Sequence, residues 1–100
     1  MIKLTVLYGH PVDPPAFEAY YSSTHMPLVG KINGVVKAET TKFLPGLDGL
    51  KPHYYRMAAF YFNNTEELQI ALRSPEGTAT TDDLQNFATG GLTILMGEVD

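Results

Sequence analysis

Cysteine is absent from this 100-residue sequence, which excludes disulfides, thiolate nucleophiles and cysteine-ligated zinc. Small secreted domains commonly need such staples, so their lack makes the reducing cytoplasm the expected location. Positive charge is scarce as well. Seven Lys and Arg residues stand against eleven Asp and Glu, a formal net charge of -4. The cations Lys3, Lys31, Lys37, Lys42, Lys51, Arg56 and Arg73 form no cluster. A nucleic-acid partner needs positive charge gathered on one face, so this distribution argues against one. Long apolar runs are missing too. Nothing approaches the roughly 20 residues that span a bilayer, and Met1 to Leu7 is too short and interrupted for a signal peptide. A soluble chain with no membrane partner is expected, of a length that suits a single domain over 1–100.

What is present reads as a regular alternation of elements. Ile2, Leu4, Val6 and Tyr8 recur with period two, a strand that ends at Gly9-His10-Pro11. Asp13-Pro14-Pro15 follows as a helix start, leading into a stripe of Phe17, Tyr20, Tyr21, Thr24 and Leu28. Pro27 disfavours helical angles at the residue before it, so a break or kink is expected beside His25. Val35 to Phe43 predicts a second strand with one solvated side. A turn-rich loop, Leu44 to Pro52, joins it to a third strand over His53 to Phe62. Asn64 and Glu67 are spaced as a capping box, and Ser74-Pro75 restarts a further helix that runs towards Gly90-Gly91. Leu92 to Val99 closes the chain as a fourth strand. The order βαββαβ predicts an α+β, ferredoxin-like fold: a four-stranded antiparallel sheet with helices on one face.

The third strand is apolar or aromatic at nearly every position, and the last sets Leu92, Ile94 and Met96 against Leu95 and Val99. A sheet face of this kind left bare exceeds what a small monomer tolerates. A second copy across a two-fold axis covers it, so a homodimer is expected. Single-stranded RNA on an aromatic sheet is the competing reading, and the missing basic surround argues against it.

The helix motif Phe17-x-x-Tyr20-Tyr21-x-x-x-His25-x-Pro27-Leu28-Val29 resembles the EthD family of dimeric α/β-barrel proteins. A second stretch, Arg73-Ser74-Pro75-Glu76-Gly77 followed by Asp82-Asp83-Leu84-x-Asn86-Phe87, is similar to the same family's closing pattern. Gly9-His10-Pro11 departs from it at the expected mouth of the cleft. The resemblance implies a homodimer whose two sheets form a barrel, with a cleft in each subunit. Its wider superfamily includes cyclases, dehydratases, lactone isomerases and cofactor-free oxygenases.

Among the residues themselves, His25 is the leading chemical candidate, because imidazole exchanges protons near neutral pH and here shares a stripe with aromatic side chains. Tyr21 or Tyr20 would orient it or polarise a substrate carbonyl. The competing reading has His25 capping backbone freed by Pro27. Tyr8, Phe17, Leu28, Arg56 and Phe87 are the candidate substrate-binding residues. Arg56 among aromatics needs a carboxylate, from Glu39 on the neighbouring strand or from a ligand. His10 and His53 read as surface residues beside prolines. No His-x-x-x-His spacing and no phosphate-binding loop occurs, so neither metal nor cofactor is implied. These features predict a cofactor-independent acid–base enzyme of the cyclase, isomerase or dehydratase type. Its substrate would be a small apolar or aromatic carbonyl compound. The alternative is a non-catalytic dimeric module that binds an apolar small molecule.

Overall fold

Local capping sets where the helices begin. In the computed structural model, which describes all 100 residues, Asp13 accepts a hydrogen bond from the Ala16 N–H and opens α1 (Pro14–Tyr20). Asn64 does the same for α3 (Thr65–Arg73) through the Glu67 N–H, and Ser74 for α4 (Pro75–Asp83) through the Gly77 N–H. These pieces fill the gaps between β1 (Ile2–Tyr8), β2 (Lys37–Lys42), β3 (Arg56–Phe62) and β4 (Leu92–Glu98). No helix is long and apolar enough to cross a membrane.

The expected break beside His25 is instead one wide π turn, Tyr21–His25, running from α1 into the short α2 (Met26–Val29). Pro27 offers no N–H to the preceding turn. The helix absorbs this by letting the Met26 N–H reach back to the Tyr21 carbonyl, and the backbone stays helical into α2.

The sheet order is β2-β3-β1-β4 and every neighbouring pair is antiparallel. This is the expected ferredoxin-like α+β arrangement. The regular ladder is shorter than the sequence suggests at β2 and β3, and His53 to Tyr55 approach β3 as a bend. Single backbone bonds, Val36 N–H to the Tyr61 carbonyl and Phe43 N–H to the Tyr55 carbonyl, extend the pairing beyond the regular register.

Register fixes the faces. Leu4, Val6 and Tyr8 share the helix-covered side with Ala58, Phe60 and Phe62, while Thr5, Leu7, Met57, Ala59 and Tyr61 turn away. The outer face is more mixed than the sequence suggests. Its centre is apolar, but β2 contributes Lys37, Glu39 and Thr41, and the ammonium groups of Lys3 and Lys37 lie over the Tyr61 ring at 5.6 and 5.4 Å. The helices do not reach β4: Ile94 and Met96, on the helix side, remain 48% and 60% exposed. Three further leucines, Leu44, Leu47 and Leu50, stand exposed on the β2–β3 loop.

The core divides in two. One cluster gathers Val6, Tyr8, Phe17, Tyr21, Tyr55, Ala58 and Phe87; the other gathers Phe62, Leu68 and Ala71, with Ile2, Leu4, Ile32 and Val35 against it. Phe60 touches both clusters.

Candidate functional site

Between the two clusters lies a cavity of about 350 Å³, bounded by the helix side of the sheet and by α2, α3 and α4. That volume suits a small organic molecule. Its walls are mostly apolar, and Tyr8 and His25 bring the chemistry to one end.

His25 is 3% exposed, at the close of the π turn, and its ring rests 4.5 Å from that of Phe87. Its Nδ1 lies 3.0 Å from Asp83 Oδ2. Asp83 ends α4, and its other oxygen accepts hydrogen bonds from the Tyr20 hydroxyl at 2.5 Å and the Asn86 amide at 3.0 Å. Burial alone would raise the Asp83 carboxyl. The bonds from Tyr20, Asn86 and His25 outweigh that and hold it below the ordinary carboxylate range, so it is ionised at neutral pH. An ionised carboxylate only accepts, which assigns the proton to Nδ1 and leaves Nε2 with a free lone pair. Burial lowers the His25 pKa, and Asp83 pulls part of the way back up. The imidazole is therefore neutral and basic at pH 7.

Tyr8 is 1% exposed and lines the same cavity. Burial first, and the neighbouring Tyr21 next, push its phenol far above the usual value, so the group stays protonated. Phe17, Tyr21 and Phe87 surround its ring at 5.3 to 5.8 Å from one another.

The family model for the EthD domain matches residues 9–91, most of the chain. The chain belongs to the EthD family. An 11.0 kDa protein of the thcB-thcC intergenic region in Rhodococcus erythropolis is 43% identical over 95 residues, covering 95% of this chain and 91% of that protein. The crystal structure of an EthD family protein from Bacillus halodurans superposes with a TM-score of 0.93 at 37% identity, over 100% of this chain and 99% of that one. A dimeric protein of ferredoxin-like fold from Bacteroides fragilis matches at 17% identity and a TM-score of 0.69, over 98% and 95% of the two chains.

In this EthD chain the candidates do not gather in one place. Tyr8 and His25 meet at the cavity. Tyr20 reaches His25 only through Asp83, and with Phe17 and Phe87 it borders a second hollow. Tyr21 stacks between Phe17 and His25 and stands outside the cavity wall; its hydroxyl is buried without a partner, and burial pushes its pKa up to about 12. Leu28 is half-buried and away from the cavity, while its neighbour Val29 lines it.

Arg56 binds neither Glu39 nor the cavity. It forms a two-bond ion pair with Glu18 of α1, at 2.6 and 3.1 Å, and the Tyr55 hydroxyl donates to the same carboxylate. The hydrogen bonds from Arg56 hold Glu18 low despite its burial. Register explains the difference: Glu39 pairs with Ala59, on the outer face, whereas Arg56 points towards the helices. Tyr55 joins Arg56 on that side because it precedes the regular strand. His10 is half-buried, its Nε2 2.7 Å from the Pro52 carbonyl, while His53 is exposed as expected.

Asp83 is the residue that sequence reading missed. The signal was the Asp82-Asp83-Leu84-x-Asn86-Phe87 stretch, where a carboxylate one turn before an aromatic could have been weighed as the partner of a buried histidine.

Proposed function

We propose that this EthD-family chain is a cofactor-independent acid–base enzyme that acts on a small, largely apolar carbonyl compound. The observation that carries the proposal is the His25–Asp83 pair on the wall of an apolar cavity, with Nδ1 committed and Nε2 free. In this reading Nε2 removes a proton from the carbon beside the carbonyl. The electron pair passes into the carbonyl oxygen, and the resulting enolate accepts a hydrogen bond from the Tyr8 hydroxyl. Return of the proton from His25 to another carbon isomerises the substrate. In a dehydration the β-hydroxyl takes that proton from His25 and leaves as water; in a cyclisation the enolate carbon attacks a second carbonyl, and the new alkoxide takes the proton as the ring closes. His25 and Tyr8 are the catalytic residues; Asp83, with Tyr20 and Asn86 bonded to it, positions His25.

α-Proton exchange tests this without a known substrate. Propiophenone in D₂O, followed by ¹H NMR, should lose its α-protons faster with the protein than with His25→Ala by about 10²-fold or more. Equal rates in the two proteins sink the assignment. Binding without exchange in the wild type leaves the binding-module reading in its place.

We also infer a homodimer. The apolar centre of the outer sheet face and the bare strip on β4 are surfaces that a second copy would cover, and the Bacteroides protein of the same fold is dimeric. Sedimentation should give twice 11.0 kDa at micromolar concentration; a stable 11.0 kDa particle contradicts the inference. With no cysteine in the chain, the cytoplasm is the compartment we assign.

A further inference from the structure

The cavity differs from one end to the other, and we infer that it takes a neutral, elongated ligand with its polar end at Tyr8 and His25. The apolar body of that ligand runs along β1 towards Leu4, and Ile32, Val35 and Phe62 form the far wall that limits its length. The inference rests on the acid–base reading above and narrows its substrate.

Charge is the first observation. No Lys or Arg lines the cavity; its one charged wall residue is Asp82, and the Asp83 carboxylate lies directly behind His25. The nearest buried cation, Arg56, is committed to Glu18 by two bonds. A carboxylate, phosphate or sulfonate entering here would shed its hydration and meet two negative groups with no counter-charge.

Polarity along the long axis is the second. From Tyr8 to Leu4 the strand advances four residues, roughly 13 Å, with Val6 between them on the same side. Beyond Leu4 the wall passes into the second core cluster, where Ile32, Val35 and Phe62 offer no polar atom. The flank on α4 is less polar than its threonines suggest. Thr80 and Thr81 donate their hydroxyls to the Glu76 and Gly77 carbonyls of their own helix. Thr78, the remaining wall hydroxyl, stands exposed in the first turns of α4, so the base and the phenol of the cavity are both at the Tyr8 end.

Fluorescence binding tests this with two naphthalene probes. One is 6-propionyl-2-(dimethylamino)naphthalene, a neutral, elongated aryl ketone whose emission reports its surroundings. The other is the anion 1-anilinonaphthalene-8-sulfonate. The ketone should bind at least about tenfold more tightly. Straight-chain 2-alkanones should displace it more strongly with each added carbon, up to a limit. Val35→Phe, or Ile32→Phe should the first fail to fold, should weaken the longest of these about tenfold and leave short ones unchanged. Val35→Ala should move the limit to longer chains. Equal affinity for the sulfonate, or a limit that these variants do not move, overturns the inference. His25→Ala separates it from the parent reading. Proton exchange that survives this variant while the length limit persists sinks the chemistry and leaves the shape inference standing. Exchange lost with no length limit in either protein does the reverse.

Discussion

The two halves of the core are built from different materials, and only one of them is prepared for chemistry. Around Tyr8 the packing is aromatic and threaded with polar pairs: His25 on Asp83, Tyr20 on Asp83, and Arg56 and Tyr55 on Glu18. Around Leu68 it is largely aliphatic, with Phe62 the one fully buried ring beside Ala71, Ile2, Leu4, Ile32 and Val35, and no ionisable side chain among them. Aromatic rings present edges and faces that tolerate buried hydrogen bonds, whereas an aliphatic cluster gains only by excluding water. The first half holds proton-transfer groups in fixed directions. The second supplies depth. The cavity exists because the two meet through Phe60 and do not merge.

Truncating one residue in each half gives the sharpest contrast. Phe87 lies against Tyr8, Phe17, Tyr20, Tyr21 and His25, so Phe87→Ala should cost about 3–5 kcal/mol in denaturant unfolding and also move the His25 NMR titration. Leu68, 1% exposed, should cost about 2–5 kcal/mol as Leu68→Ala and leave that titration where it was. A His25 titration moved equally by both variants would erase the distinction between the halves.

Glu18→Ala should follow at about 2–3 kcal/mol, because it strands Arg56 beneath the Tyr21 ring at 5.0 Å. The figure lies under that for a fully buried pair, since the Glu18 side chain keeps 30% of its surface in water. A change below about 0.5 kcal/mol would show the pair to be no more than a surface contact. On the aliphatic side, Asn64→Ala should remove the α3 cap for about 1 kcal/mol and leave ketone binding intact, which calorimetry and probe fluorescence check together.

Acid should act on the aromatic half alone. Burial holds His25 below its ordinary pKa, so the unfolded chain takes up this proton first. The neutral imidazole's contribution to stability is intact above about pH 6.5 and declines as the pH falls from there towards the folded-state value. Asp83 and Glu18, both held low, add the same sign further down, below about pH 4. Tm should therefore be level from pH 8 to 7 and fall on acidification. Asp83→Asn removes the partner that raises His25, so its titration should move to still lower pH. A Tm that rises through pH 6 would reverse the sign of the argument.

The parts that were legible in the sequence are those decided within a few residues. Asp13, Asn64 and Ser74 each cap the helix that follows them, and the alternation from Ile2 to Tyr8 assigns the inner face of β1 correctly. His25 was legible as a candidate because its neighbours on the helix stripe are aromatic. Its partner was not, since Asp83 lies 58 residues away and reaches it only through the packing of α4 against the π turn. Arg56 does form an internal ion pair, but its partner was hidden for a related reason. Proximity of strands suggested Glu39, but it pairs with Ala59, three positions from Arg56, so the two side chains lie on opposite faces, and no local pattern names Glu18. The bare side of β4 was equally hidden, because it depends on how far across the sheet the helices extend.

The placement of β1 governs when the site can come into being. This first strand occupies the interior of the sheet, flanked by residues 56–62 and 92–98, and the Met1 carbonyl is closed by the Val99 N–H. Folding must therefore bring residues 2–8 and 92–98 together across most of the sequence, and such non-local pairing closes late. During synthesis the helices and the β2–β3 ladder can form while Tyr8 still lacks the neighbour that pairs it with Leu92. A nascent chain arrested before β4 emerges would carry His25 and Asp83 with one wall of the cavity missing.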